Sequence, residues 1–106
     1  MVDGHDVAEL EVAASGPARR RGLLGRDGLT GAMLLTPAAS VHTMGMAFAI
    51  DVAFLDRDLR VIRVLTMAPG RLGLPRVRAR HVLEAAAGAC AEWGLGRGST
   101  LRFDLD

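Results

Sequence analysis

Apolar and polar residues alternate along much of this chain, and the alternation predicts β-strands rather than helices. In DVAELEVAA, residues 6–14, apolar side chains alternate with Glu9 and Glu11, the period-two pattern of a half-exposed strand. A hairpin is predicted over residues 50–67, because IDVAFL and LRVIRVLTM flank the turn sequence DRD. The remaining strand candidates are the runs AMLLT, SVHTM and STLRFDL.

Helical signals are short and few. SGPARRRGLLGR, residues 15–26, has Ser15 as a candidate N-cap and Pro17 in the first turn, which predicts a short helix. HVLEAAAGACAEWGL, residues 81–95, is ambiguous, because its alanines favour a helix while HVLE alone could be a strand. Short strands separated by turn residues predict a mainly β fold, a β-sandwich or barrel with one or two short helices.

Length and composition indicate a single domain, predicted to span residues 1–106. Half of the 106 residues are hydrophobic, and a domain of this size buries roughly two thirds of its unfolded surface. No apolar run reaches the ~18 residues of a membrane span, and the N-terminus lacks a signal-peptide pattern, so we expect a cytoplasmic protein. The only cysteine, Cys90, excludes an internal disulfide and is interpreted as a buried apolar residue.

The charge pattern adds a weak candidate for anion binding. The net charge of +1 gives no bulk attraction to nucleic acid or membrane, yet the stretch between Leu59 and Leu83 contains arginines and no acid. Residues 71–80 are predicted to become extended after Pro75, so alternate arginines would share one face. An anionic ligand or nucleic acid could bind there, but one Trp, three Phe and no Tyr leave little for base stacking, and a solvated edge is the simpler interpretation. The arginines concerned are Arg71, Arg76, Arg78 and Arg80.

The order of several segments resembles the DUF192 family, also called UPF0127. The resemblance rests on RRRGLLGRDGL, AMLL, SVHTMGMAFAIDVAFLDRDLRVIRVLTMAP and RHVLEAAAGACAEWGLGRGSTLRF, which together cover nearly the whole chain from about Arg19 onward. It implies a compact, jelly-roll-like β-sandwich, with HVLE as a strand and AGACAEWG as a helix, in a family without an established activity. Many relatives carry Trp-Met-Lys-Asn-Thr where this chain has His-Thr-Met-Gly-Met at residues 42–46, so a site built on that Lys and Asn is not implied here. Many relatives are also exported, which leaves the location open if a leader has been removed.

Two acids in apolar surroundings carry the most informative chemistry. Asp51 interrupts AFAIDVAFL and, on a strand, would share a face with Ala53 and Leu55, while Glu84 lies within HVLEAAA. Burying an ionised carboxylate without partners costs several kcal/mol, so each acid should be paired, hydrogen-bonded or protonated.

Arginines near the N-terminus are the natural partners of these acids, because the guanidinium fork matches a carboxylate. We predict that Asp51 or Glu84 meets Arg21 or Arg26. Such a pair would either hold two elements together, which is the simpler interpretation, or line a pocket near His42.

The SVHTMGM segment supplies the last candidates. A hydrolase could use His42 with Asp51 as orienting group and Thr43 or Ser40 as nucleophile, but no nucleophile-elbow pattern is present. We therefore lean against catalysis and predict an accessory or binding module, with a cleft near His42 and Asp51 for a small molecule or protein partner. We expect a monomer without cofactor or metal, because the three histidines lack ligand spacing. The candidate ligand-binding residues are His42, Thr43, Met44, Met46, Asp51, Arg21, Arg26 and Glu84.

Overall fold

Five strands and one short helix make up the regular structure of the described residues. The computed structural model describes residues 10–15, 31–44, 46–72 and 77–102. The sheet order is β1-β2-β5-β3-β4, and only the β1–β2 pair is parallel among these neighbours. The elements are β1 (Leu10–Ala13), β2 (Ala32–Leu35), β3 (Ile50–Leu55), β4 (Val61–Met67), β5 (His81–Ala86) and helix α1 (Ala89–Glu92).

Side-chain alternation gives this sheet two apolar faces with different packing partners. On the first face, Met33, Val52 and Val82 pack with residues of the segment 38–48, which connects β2 to β3. On the second face, Leu34, Ala53 and Leu83 pack with residues that follow β5. The covering residues are Ala38, Val41, Met46 and Phe48 on the first face, and Cys90, Leu95 and Leu101 on the second.

The predicted hairpin and the resemblance-based division of HVLEAAAGACAEWG are both confirmed. Strands β3 and β4 pair antiparallel across the DRD turn, with a β-bulge where Phe54 faces Arg63 but Leu55 faces Val61. HVLE begins β5, and α1 follows after a turn at Ala87 and Gly88. The strands predicted from DVAELEVAA and AMLLT are also present, as β1 and β2.

Three expected extended segments are different in the structure. SVHTM is not a strand, although His42 makes an isolated bridge with Leu72. The segment before β5 turns at Val77 and Arg78 instead of running extended. In STLRFDL, Thr100 makes an isolated bridge with Arg60, and residues 103–106 lie outside the described residues. The helix predicted within residues 15–26 lies outside the described residues except at Ser15.

The fold class predicted from the sequence is confirmed as mainly β. All strands of the described residues join one five-stranded sheet, and α1 has a single turn. Coverage of both faces by apolar residues from connecting segments is consistent with a β-sandwich-like fold.

Candidate functional site

The carboxylate of Asp51 is buried and fully engaged on the second face of the sheet. Its Oδ1 accepts a hydrogen bond from the Thr66 hydroxyl at 2.6 Å. Its Oδ2 accepts the backbone N–H groups of Gly88 at 3.0 Å and Cys90 at 3.1 Å. Asp51 is 3% exposed, so these donors replace the water that an ionised carboxylate requires.

These contacts make Asp51 a cap for helix α1 from another strand. Gly88 occupies the N-cap position with φ 89° and has no side chain to satisfy the first amides of the helix. The carboxylate of Asp51 supplies the missing acceptor and places negative charge at the helix N-terminus. The acid in the apolar run therefore anchors the β5–α1 turn to β3.

The thiol of Cys90 is buried beside this carboxylate. Burial, followed by the charge of Asp51 and a hydrogen bond to it, raises the pKa of Cys90 to about 12. Nucleophilic thiol chemistry requires the thiolate, which such a site disfavours. Cys90 is buried within the second-face cluster, as the sequence predicts.

Glu84 lies on the opposite face from Asp51, in the middle of the sheet. It stands between Met33 on β2 and Val52 on β3, both of which belong to the first-face cluster. Its side chain is 2% exposed, and burial raises its pKa to about 7. Among the described residues the carboxyl has no hydrogen-bond or ion-pair partner. Arg21 and Arg26, the partners predicted for it or for Asp51, lie outside those residues.

Thr43 fastens the segment 38–48 to the chain that follows β4. Its hydroxyl donates to the Ala68 carbonyl at 2.6 Å and accepts the Arg71 N–H at 2.8 Å. Its backbone N–H donates to the Arg71 carbonyl at 2.7 Å, and its carbonyl accepts the Gly70 N–H at 2.8 Å. Because Thr43 is completely buried, it fixes the position of its neighbours.

The two neighbours of Thr43 are exposed, whereas Val41 and Met46 pack against the first face. His42 pairs with Leu72 across the antiparallel bridge, so their side chains lie side by side. Leu72 is 76% exposed and Met44 is 49% exposed. His42 and Asp51 are therefore not brought together, because the segment carrying His42 covers the face opposite Asp51.

The described arginine candidates do not share the predicted extended segment, because the chain turns at Arg78. Arg78 lies in a turn, and the Arg80 Nη1 donates to the carbonyls of Val77 and Ala79, each at 3.0 Å. Arg71, Arg78 and Arg80 are exposed, and Arg76 lies outside the described residues.

Sequence reasoning missed two features of this region. The first is the exposure of Leu72 and Val77. Their position as apolar residues in the polar, turn-rich stretch RLGLPRVRAR is the signal that could have indicated it. The contact between the Thr36 hydroxyl and His81 Nδ1, at 2.6 Å, joins residues 45 positions apart and has no local signal. In the described parts of the chain, no three His, Cys, Asp or Glu side chains are close enough to hold a metal ion.

A family model described as an uncharacterized ACR matches residues 1–103. The chain belongs to the DUF192 family. A UPF0127 protein of Pyrococcus horikoshii is 44% identical over 50 residues, which are 47% of this chain and 44% of the relative. One from Pyrococcus abyssi is 38% identical over 50 residues, 47% of this chain and 43% of the relative. The matched stretch thus spans less than half of these curated relatives.

Two solved structures share the fold of this DUF192 chain. A Novosphingobium aromaticivorans protein of unknown function superposes with a TM-score of 0.78 at 22% identity, covering 89% of this chain and 74% of that protein. A Sinorhizobium meliloti protein, described as a candidate transcription regulator, has a TM-score of 0.78 at 20% identity. The superposition covers 88% of this chain and 79% of that protein. At identities this low, the superpositions show a shared fold and nothing more.

The polar groups of this DUF192 domain divide into those held in structural hydrogen bonds and those exposed to solvent. The Thr43 hydroxyl and the Asp51 carboxylate are both held by structural hydrogen bonds, on different sides of the sheet. His42, Met44, Arg71 and Leu72 are exposed on a backbone held by Thr43, and we call these four residues the Leu72 surface. Within the described residues, no helix has the length and apolar character needed to cross a bilayer.

Proposed function

We propose that this DUF192 domain is a non-catalytic module that binds a partner protein through the Leu72 surface. The observation that carries the proposal is the bonding of Thr43, which is buried while its two neighbours and Leu72 face solvent. Exposed apolar side chains on a fixed backbone are suited to binding, because little conformational entropy is lost when a partner docks.

The arrangement of the polar groups argues against the alternative of a hydrolase. A nucleophile must be free to lose its proton to a base, but the Thr43 hydroxyl donates to the Ala68 carbonyl. Asp51 cannot orient His42, because its carboxylate is bound by Thr66, Gly88 and Cys90 on the other face of the sheet. These structural hydrogen bonds favour a binding function over a catalytic one.

Selection from a displayed random peptide library tests this function. Immobilised parent protein is expected to enrich peptides whose affinity falls about tenfold or more in Leu72→Ser. The matched control is Val12→Ser, which alters another exposed apolar residue, 44% exposed on β1, and should leave affinity unchanged. Thermal unfolding of both variants checks that each remains folded.

Two outcomes would contradict the proposal. The first is that no peptide is enriched, or that the enriched peptides bind Leu72→Ser as well as they bind the parent. Either result would show that the Leu72 surface is not a binding surface. Turnover of chromogenic ester or phosphate substrates that disappears in His42→Ala would support the hydrolase instead.

A further inference from the structure

Two exposed apolar side chains border the same short stretch of chain. Leu72 is 76% exposed and Val77 is 91% exposed, the two most exposed of the large hydrophobic side chains in the described residues. Four residues lie between them in the sequence, so their Cα atoms are at most about 18 Å apart. An extended peptide of about six residues is long enough to span that distance.

Hydrogen bonds hold the backbone at both positions. Beside Leu72, the Arg71 N–H and carbonyl are bound by Thr43. At Val77, the carbonyl accepts Nη1 of Arg80, which also bonds Ala79. Hydrogen bonds thus hold the backbone at Arg71, beside Leu72, and at Val77, and an anchor on a held backbone loses little conformational entropy when a partner docks.

The charge around this pair is positive. No acid occurs in the sequence between Leu59 and Leu83, whereas Arg71 and Arg78 are exposed there. Burial in the sheet removes Asp51 and Glu84 from the surface. These two acids are therefore not available to balance the arginines at the surface.

Two acids, Asp56 and Asp58, precede Leu59 in the β3–β4 turn, and Asp56 is used locally. The Asp56 carboxylate accepts the backbone N–H groups of Asp58 at 2.9 Å and Arg60 at 3.0 Å. These backbone bonds, together with the charges of Arg60 and Arg78, lower the pKa of Asp56. The Asp56 carboxylate is thus held in local bonds beside Arg60 and Arg78.

We infer that the partner presents an acidic segment with at least one apolar anchor, which binds Leu72 and Val77 while its carboxylates meet Arg71 and Arg78. The inference rests on the proposed function and adds the chemical class of the partner. Carboxylates match guanidinium groups, and an apolar side chain covers Leu72 or Val77. Nucleic acid fits less well, because it offers phosphates but no aliphatic anchor, and the chain has few aromatic side chains for stacking.

The composition of the selected peptides and their salt dependence test this inference. The enriched pool should contain more Asp and Glu than Lys and Arg, by at least about threefold over the starting library, together with aliphatic residues. Affinity of labelled peptides should fall about tenfold between low and physiological salt. It should also fall about tenfold in the double variant Arg71→Gln, Arg78→Gln. The matched control Arg97→Gln alters another exposed arginine and should change affinity less than twofold.

The outcomes separate this inference from the proposed function. Peptides that require Leu72 but are neutral or basic leave the binding module intact and overturn the acidic partner. Tighter binding of polyphosphate or a short oligonucleotide than of any selected peptide also overturns it. Self-association in sedimentation that is lost in Leu72→Ser would assign the surface to a second copy of the chain instead. An empty selection removes both proposals.

Discussion

The Asp51 carboxylate on β3 accepts the backbone N–H of Gly88, which lies 37 residues later, at 3.0 Å. This bond joins the strand to the N-terminus of helix α1, where Gly88 itself has no capping side chain. An acid within an apolar strand thereby accepts the Gly88 amide and the buried Cys90 amide, which would otherwise have no acceptor. The burial of Asp51 in an apolar strand therefore has a structural explanation, and its contribution to the free energy of unfolding can be measured.

Replacing Asp51 should strongly destabilise the domain. Asp51→Asn keeps the volume but places an amide NH₂ against groups that are themselves donors, and we expect a loss of about 2–4 kcal/mol. Asp51→Ala leaves two amides and the Thr66 hydroxyl without an acceptor and should cost as much or more. Urea unfolding measures both values.

The control for this prediction is Asp58→Asn, an exposed acid in the β3–β4 turn. Its effect should stay within about 0.5 kcal/mol. If Asp51→Asn were as stable as the parent, the interpretation of Asp51 as a helix anchor would be wrong.

Cys90 should react very slowly with thiol reagents in the folded protein. Burial and the neighbouring carboxylate raise its pKa to about 12, so little thiolate exists at neutral pH. Labelling by a disulfide reagent should be at least about 100-fold slower than in urea-unfolded protein, and Asp51→Ala should accelerate it by loosening α1. Equal rates in native and unfolded protein would show that Cys90 is accessible.

The stability of the domain should fall as the pH rises through the titration of Glu84. Below its ordinary pKa of 4.5 the group is protonated in both the folded and the unfolded state and carries no penalty. Between 4.5 and about 7 the unfolded chain ionises while the buried group resists, so about 3 kcal/mol of stability is lost. Above pH 7 the loss is complete.

Glu84→Gln isolates this contribution, because glutamine does not titrate. The free energy of unfolding of the parent, relative to Glu84→Gln, should fall by about 3 kcal/mol between pH 4.5 and pH 8 in urea titrations. If the difference in free energy of unfolding between the parent and Glu84→Gln did not change with pH, Glu84 would be ionised in the folded protein. A cationic partner would then be required, and Arg21→Met or Arg26→Met should restore the pH dependence.

Thr43→Val should lower both stability and peptide binding. The substitution keeps the shape but leaves the Arg71 N–H without its side-chain acceptor, at a cost of about 2 kcal/mol. Because Thr43 holds the Leu72 surface in place, the affinity of selected peptides should fall about tenfold even where the variant remains folded. Thr66→Val, measured in parallel, should reduce stability but leave peptide affinity unchanged, since its hydroxyl bonds Asp51 on the other face.

The sequence by itself determined strands β1 to β4 and the face of β3 on which Asp51 lies. A period of two residues places Asp51 with Ala53 and Leu55, and this is the face on which the structure has it. The same pattern located the β3–β4 hairpin, because turn residues and β-forming residues are local signals.

The tertiary structure alone decided which groups meet those side chains. Continuing the pairing of Leu55 with Val61 without interruption would place Leu65 opposite Asp51, but the bulge places Thr66 there and supplies a hydroxyl. SVHTM alternates like a strand yet is not one, because Thr43 finds its partners in residues 68–71 rather than in a neighbouring strand. Local patterns record which face a residue takes, whereas partners distant in sequence depend on register and on the path of connecting segments.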